Sequence, residues 1–417
     1  MQKSVPAFEA DKACNDAAAV FFDANGDGNP DLYVASGGYG DLTSSDLHCQ
    51  DRLYINDGKG NFVKSTGSLP KMLSSKGCVR VADVNGDGHP DLFVGGRVVP
   101  GRYPETPQSC ILINDGKGHF TDETVSYNSE LQHIGMVTDA AWVDLNGDHK
   151  PDLIIVGEWM PVTILINSGG KLVDQTSNYL DKKFAGWWNC LTVGDFNHDG
   201  HPDLIIGNLG LNSQCRASDN QPVEMYYKDF DGNGAIDPIL CTYIQGKSYP
   251  YVTRDELLDQ ISMMRPRFPD YKSYADATLE DVFKPEELKG SKRLSANCLQ
   301  TVALISDKTG KLHDINLPLS AQASPVFTIN VMDYDHDGND DLLLCGNINH
   351  TRIRFGKYDA NYGVLLKGDG KGNFSEVPSL RSGFKLVGDV RCVLPVNDLL
   401  LFGINQGSIR AYKLHHK

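Results

Sequence analysis

DANGDGNPDL, at residues 23–32, decides the fold, because five near-copies of it follow. They are DVNGDGHPDL at 83–92, DLNGDHKPDL at 144–153, DFNHDGHPDL at 195–204, DFDGNGAIDP at 229–238 and DYDHDGNDDL at 333–342. Their starting points lie 60, 61, 51, 34 and 104 residues apart. A pattern returning at such periods marks a repeat architecture. Short β-prone runs flank the copies, such as AAVFF at 18–22 before and LYV at 32–34, LFV at 92–94, LIIV at 153–156 and LLL at 342–344 after. A third run leads into a hairpin: LYINDGKGNF at 53–62, ILINDGKGHF at 111–120 and VLLKGDGKGNF at 364–374. Asp-Gly between β-prone runs is a strong hairpin signal. Each unit therefore predicts four short antiparallel strands with the acidic turn joining the first two. Four-stranded units at about 60-residue spacing predict the blades of an all-β propeller.

Six acidic turns mark six blades. A seventh follows at VRCVL, 390–394, DLLLF, 398–402, and 408–414, without an acidic turn or a fourth strand. SVPAF at 4–8 either supplies that strand and closes the ring, removing exposed edges, or frays. The expectation is a seven-bladed β-propeller over residues 1–417 as a single domain. The 34-residue step suits a blade whose outer hairpin is reduced between Asp203 and Pro222. The 104-residue step predicts a small helical insertion in blade five, at 253–296. There Thr253 and Glu256 fit a capping box, and Leu257, Leu258, Ile261 and Met264 follow at helical spacing.

Oxygen-bearing side chains recur at positions 1, 3, 5 and 9 of each turn, with a backbone carbonyl available at position 7. Turn one offers Asp23, Asn25, Asp27, Asn29 and Asp31; turn two Asp83, Asn85, Asp87, His89 and Asp91. Turn three offers Asp144, Asn146, Asp148, Lys150 and Asp152, with His149 where glycine usually permits the bend. Turn four offers Asp195, Asn197, Asp199, His201 and Asp203. Turn five offers Asp229, Asp231, Asn233, Ala235 and Asp237, and turn six Asp333, Asp335, Asp337, Asn339 and Asp341. All-oxygen, mostly anionic sets of this density suit calcium, up to six ions, better than magnesium, which keeps more water. The twelfth-position glutamate and helical flanks of an EF-hand are missing. One such turn would pass for an ordinary Asx-turn; six would not.

The charge balance follows. The chain carries 39 Lys and Arg against 54 Asp and Glu, a net −15. Nineteen of those acids belong to the turns, and the rest of the chain is slightly basic. The acidity reads as metal demand, and a globally acidic chain is a poor nucleic-acid binder. No run of eighteen apolar residues appears, so no membrane-spanning helix is expected. The first ten residues lack the basic start and apolar stretch of a signal peptide.

These turns and their flanking strands resemble the FG-GAP or VCBS repeats of integrin-α-type propellers. GWWN at 186–189, GNLGLN at 207–212, KDFDGNG at 228–234, RDEL at 254–257, YDANYG at 358–363 and GDVR at 388–391 narrow the resemblance. They are similar to bacterial exported VCBS-repeat proteins related to the cartilage acidic protein and ASPIC/UnbV group. The resemblance implies an extracytoplasmic location and relatives that are longer multi-domain chains, of which this looks like a C-terminal portion. It settles activity far less than fold.

In propellers of this type the other rim is expected to gather Arg97, Glu158, Trp159, Trp187, Trp188, Asn208, Asn212, Arg216, Asn347, Asn349 and Arg352. Aromatics, amides and arginines on one concave face suit a glycan or protein ligand; the alternative is that the tryptophans pack the insertion. No catalytic residue is assigned. The expected function is a non-catalytic binding or scaffold module. The second class is a carbohydrate-active enzyme, a polysaccharide lyase or hydrolase, with Glu158, Asp255 and Glu256 as its carboxylate candidates. The ten cysteines include no CxxC pair, which argues against zinc, and Cys78 and Cys190 read as small core residues.

Overall fold

The acidic turns reverse the chain in one register. Phe22 pairs with Asp31, Ala82 with Asp91, Val143 with Asp152, Gly194 with Asp203, Lys228 with Asp237 and Met332 with Asp341. The structure, a computed structural model, describes residues 5–40 and 42–414. Among them lie seven sheets of antiparallel strands.

Sheet one holds Asp16–Phe22, Asp31–Ser36, Arg52–Asn56 and Phe62–Lys64. Sheet two holds Ser75–Ala82, Asp91–Val98, Cys110–Asn114 and Phe120–Asp122. Sheet three holds Met136–Val143, Asp152–Pro161, Thr163–Ser168 and Lys171–Asp174, and Ala185–Trp187 pairs with the end of its second strand. Sheet four holds Cys190–Gly194, Asp203–Gly207, Val302–Ser306 and Leu312–Ile315. Sheet five holds Val326–Met332, Asp341–Gly346, Val364–Gly368 and Phe374–Val377; sheet six holds Val390–Val396, Leu399–Ile404 and Arg410–Lys413.

The first strands of these six sheets touch in series, one to two and on to six. Side chains alternate across each strand, so every second strand sends one set of apolar residues each way. Tyr33 and Leu53 meet Val79, Leu92 and Leu112 between sheets one and two. Phe93 and Ile111 meet Ala140, Leu153 and Leu165 between two and three. Ile154 and Ile164 meet Leu191, Leu204 and Leu304 between three and four. Ile205 and Ala303 meet Ile329, Leu342 and Leu366 next, then Leu343 and Leu365 meet Leu400 and Phe402. A polar latch repeats beside two of these cores. Asn114 donates to the Ala24 carbonyl in the preceding sheet's acidic turn at 2.9 Å, and Asn167 to that of Val84 at 2.9 Å.

The seventh sheet corrects the expected blade order. Val223–Lys228, Asp237–Ile244, Lys247–Pro250 and Lys292–Ala296 form a sheet inserted between the second and third strands of sheet four. The fifth acidic turn therefore lies outside the series, and the first strand of sheet four touches that of sheet five directly. The outer hairpin of sheet four is displaced to 302–315, where Leu204 pairs with Leu304, and the whole insertion spans 208–301, with helices inside the 253–296 segment. Its helical part begins at Arg254–Gln260, where Glu256 accepts from the Thr253 amide at 2.9 Å and donates its own to the Thr253 hydroxyl at 3.3 Å. Leu257, Leu258, Ile261 and Met264 then pack against Ile239 and Cys241 of the inserted sheet.

The chain start is a second correction. Ser4 lies outside the described residues, and Pro6–Ala10 is a helix, neither the closing strand nor the frayed end that the sequence left open. Pro6 opens it, since its fixed φ and missing N–H suit a first helical turn. Ala7 and Phe8 lie on Leu32, Val34 and Tyr54 of sheet one and leave sheet six with three strands among the described residues.

Candidate metal centres in the acidic turns

Each turn is built around the carboxylate at position 1. In turn one, Asp23 Oδ1 accepts the amides of Gly26 at 2.8 Å and Asp27 at 3.1 Å, and Oδ2 accepts that of Gly28 at 2.8 Å. The Asn25 side-chain oxygen takes the Asp27 amide, and Asp27 Oδ1 takes that of Asn29 at 2.8 Å. These bonds wrap the turn's backbone amides around the Asp23 carboxylate. Turn two repeats the pattern with Asp83, Asn85 and Asp87. His149 adopts a left-handed φ of 63° and still donates its amide to Asp144 at 2.8 Å. A side chain there strains the backbone, yet turn three keeps its shape.

The position 9 carboxylates have a second duty. Asp91 is fully buried, accepting the Val84 amide at 3.0 Å and the Asn114 amide at 2.8 Å, which staples the turn to the third strand. Asp31, Asp152, Asp203 and Asp341 repeat both bonds with their own turns and third strands. Burial pushes the Asp91 carboxyl up to about 6, against the pull of those two amides, and raises the other four as well. The exposed Asp27 and Asp87 are held below the usual carboxylate range, chiefly by the amides of Asn29 and His89. Sequence spacing did not separate the stapling carboxylate at position 9 from the other oxygens of each turn.

Turns five and six carry Asp at position 3, and there three carboxylates converge. Ligand oxygens of Asp229, Asp231 and Asp237 lie within 4.8 Å of one another, as do those of Asp333, Asp335 and Asp341. Three hard anionic oxygens at that spacing can hold a metal ion, with carbonyls and water completing the shell. Turn six differs from turn five by an internal cation. Lys367 of the third strand pairs with Asp335 and reaches Asp337 at 2.6 Å. Those two bonds hold its ammonium well above the usual lysine range and depress the Asp337 carboxyl. No spacing rule had singled out Lys367.

The other end of the strands bears the second set of expected residues. Arg97 of sheet two pairs with Glu158 of sheet three; Tyr103 donates to Glu158 at 2.7 Å, and the Trp159 indole donates to Tyr103 at 2.9 Å. Trp159 and Trp187 meet edge to face at 5.0 Å between ring centres. Both pack with Val223, Met225 and Leu299, so they join the insertion to sheet three. Trp188 is wholly buried, donating to the Met160 carbonyl, and Asn208 is buried on the Cys298 carbonyl. Asn347 is buried on the Asn361 and Gly388 carbonyls. Asn212 and Arg216 cap nearby backbone carbonyls, and Arg352 pairs with Glu256 at 3.2 Å. Asn212, Arg216 and Arg352 are exposed, whereas Arg97, Glu158 and Trp187 are partly buried. The Trp187 indole N–H is buried without a hydrogen-bond partner. All ten cysteines are free thiols; burial pushes Cys78 up to about 12, and Cys190 is raised further by the same cause.

Comparison with known proteins bears on the turns. A family described as FG-GAP-like repeat matches residues 23–94 and 144–206, which begin at turns one and three. The chain is 27% identical over 162 residues to a T-cell immunomodulatory protein homolog of Plasmodium yoelii yoelii, covering 35% of this chain and 22% of that one. It is 31% identical over 150 residues to the Plasmodium falciparum homolog, covering 32% and 20%. The matches thus span about a fifth of the relatives' length. Among solved structures, an Agrocybe aegerita lectin recognising terminal N-acetylglucosamine superposes with a TM-score of 0.32 at 15% identity, covering 87% of this chain and 79% of the lectin. The V. cholerae biofilm matrix protein Bap1 gives 0.30 at 11% identity, covering 93% and 84%. No helix among the described residues is long and apolar enough to cross a membrane.

Proposed function

We propose that this chain, which carries FG-GAP-like repeats, is a calcium-stabilised β-propeller that serves as a non-catalytic binding or scaffold module outside the cytoplasm. Its six serial sheets are the blades, and the inserted sheet is an elaboration of the fourth. The observation that carries the metal part is the convergence of Asp229, Asp231 and Asp237 within 4.8 Å, in a turn built like five others. Extracellular calcium modules work at about 10⁻⁴ to 10⁻³ M, which is why the reading goes with an extracytoplasmic location. Calcium here would fasten turns and leave the chemistry of recognition to the other rim.

Non-catalytic binding is favoured by what the three candidate acids do. Glu158 is engaged by Arg97 and Tyr103, Asp255 by Arg254 and Tyr271, and Glu256 by its own helix start and by Arg352 and Arg354. A general acid or base needs a carboxyl free to exchange a proton with substrate. The proposed ligand is a glycan or protein segment contacting Arg97, Glu158 and Trp187. The test is a glycan and peptide array probed with the parent chain and with Trp187→Ala, each shown to be folded. Loss of a specific signal in the variant supports the site; undiminished binding moves the ligand off this rim.

A further inference from the structure

The interface between sheets three and four lacks a fastening that its neighbours have. The residue closing the third strand gives its amide to the position 9 carboxylate: Asn114 to Asp91, Asn167 to Asp152, Ser306 to Asp203 and Gly368 to Asp341. From that shared position Asn114 also bonds the Ala24 carbonyl of the preceding turn, and Asn167 that of Val84. Gly368 has no side chain, but the Gly372 amide of the same hairpin bonds the matching Phe196 carbonyl at 3.1 Å. Ser306 keeps its hydroxyl within its own sheet, on Asp203 at 2.6 Å. No donor among the described residues reaches the matching Leu145 carbonyl.

The hairpin also stands off. A Cβ placed on Gly118 would lie 3.8 Å from Ile55 of the preceding sheet, and one on Gly372 would lie 2.8 Å from Ile305. One on the corresponding Gly310 would meet His201 of its own sheet at 3.6 Å and, among the described residues, nothing of sheet three within 4 Å.

The gap is a cavity of about 370 Å³, a size that suits a small ligand. Leu145, Asn146, Gln175, Asn178, Tyr179 and His201 line it, with Lys311, whose charge is met by Asp181 at 2.5 Å. In turns one and two the position 3 amide is tied down, Asn25 to Asp27 at 3.1 Å and Asn85 to Asp87 at 2.8 Å. Asn146 makes no such bond among the described residues. Asn178 donates to Gln175 Oε1 at 3.0 Å, which fixes both side chains and leaves the Asn178 oxygen and the Gln175 nitrogen to a ligand. Tyr179 is half-buried against the core between sheets three and four and adds an aromatic wall. Donors and acceptors thus occur together in one cavity. A hydroxyl can satisfy both, whereas an ammonium only donates and a carboxylate only accepts. The carboxylates of turns three and four further disfavour an anion.

We propose that this cavity is a second binding site, for one neutral polyhydroxyl unit such as a sugar residue, which donates to the Leu145 carbonyl where the neighbouring interfaces use a protein donor. It goes beyond the reading above, which puts recognition on the other rim.

Saturation-transfer NMR of the 417-residue chain with glucose, galactose and mannose tests this, with glucuronate and methylammonium as charged probes. The parent chain is expected to saturate at least one neutral sugar and neither ion. Ser306→Asn introduces the residue that Asn114 and Asn167 show to fit this position; it should close the gap and abolish the transfer. Asn178→Ala removes an exposed acceptor without touching the core and should weaken binding about tenfold, the equivalent of roughly 1.4 kcal/mol. Near-ultraviolet circular dichroism checks that each variant is folded, and Asn178→Ala decides alone if Ser306→Asn is not. Three results would overturn the proposal: no transfer to any of the sugars, or transfer to an ion alone; undiminished transfer in the folded variants; or sugar binding that Trp187→Ala abolishes and Ser306→Asn leaves intact, which belongs to the other rim. The array described above reads that rim separately, so either idea can fail alone.

Discussion

The ammonium of Lys367 lies 2.6 Å from Oδ2 of Asp337, inside the sixth acidic turn. An internal cation competes with an external one for the same carboxylates. Lys367→Met should therefore raise calcium affinity at turn six, by about tenfold if roughly 1.4 kcal/mol of competition is removed. Calorimetric titration of the variant against the parent checks this. Equal affinity would mean that the lysine moves aside without cost.

Staple and ligand should separate by mutation. Asp91→Ala orphans the amides of Val84 and Asn114, and a buried unsatisfied group costs about 1–3 kcal/mol. The loss should appear in chelator and in calcium alike. Asp87→Ala touches an exposed side chain, so in chelator it should change stability little while weakening the calcium response. Denaturant unfolding with and without calcium reads both.

Turns two and three should rank. Asp83→Ala should cost more calcium-dependent stability than Asp144→Ala, because His149 holds a left-handed φ where turn two has Gly88. Equal losses would show that the strain at His149 does not reach the site.

Much of this was legible because the signal is local. Asp, Asn and Gly within ten residues specify a turn, and the register from Phe22–Asp31 to Met332–Asp341 follows it. The partner of Leu204 was not legible, because Leu304 stands a hundred residues away and its hairpin, DKTG at 307–310, lacks the Asp-Gly of its counterparts. Nor does a tryptophan declare its side: Trp187 and Trp188 are neighbours, and alternation buries the second completely while the first keeps some exposure. Lys367 escaped notice because a single lysine in a strand carries no pattern until the fold brings it to Asp335.

Acid should loosen the helical insertion before the sheets. Arg267 grips Glu287 through two bonds, at 2.8 and 2.9 Å, and this pairing lowers the Glu287 carboxyl to about 2. A carboxyl depressed in the folded state stabilises it above its unfolded value, near 4.5, and loses that contribution as pH falls towards 2. Amide exchange in 254–288 should rise across that window in the parent. Glu287→Gln should flatten the change, and an unchanged profile would remove the pair from the insertion's acid response.

The most direct measurement is thermal unfolding of the intact chain in excess chelator, then in calcium, with magnesium as the control. Calcium binds only the folded turns, so each site should add about 1.4 kcal/mol at a tenfold excess over Kd. The account predicts a lower Tm in chelator, restored by millimolar calcium and much less by magnesium. The same Tm in chelator and in calcium would contradict it.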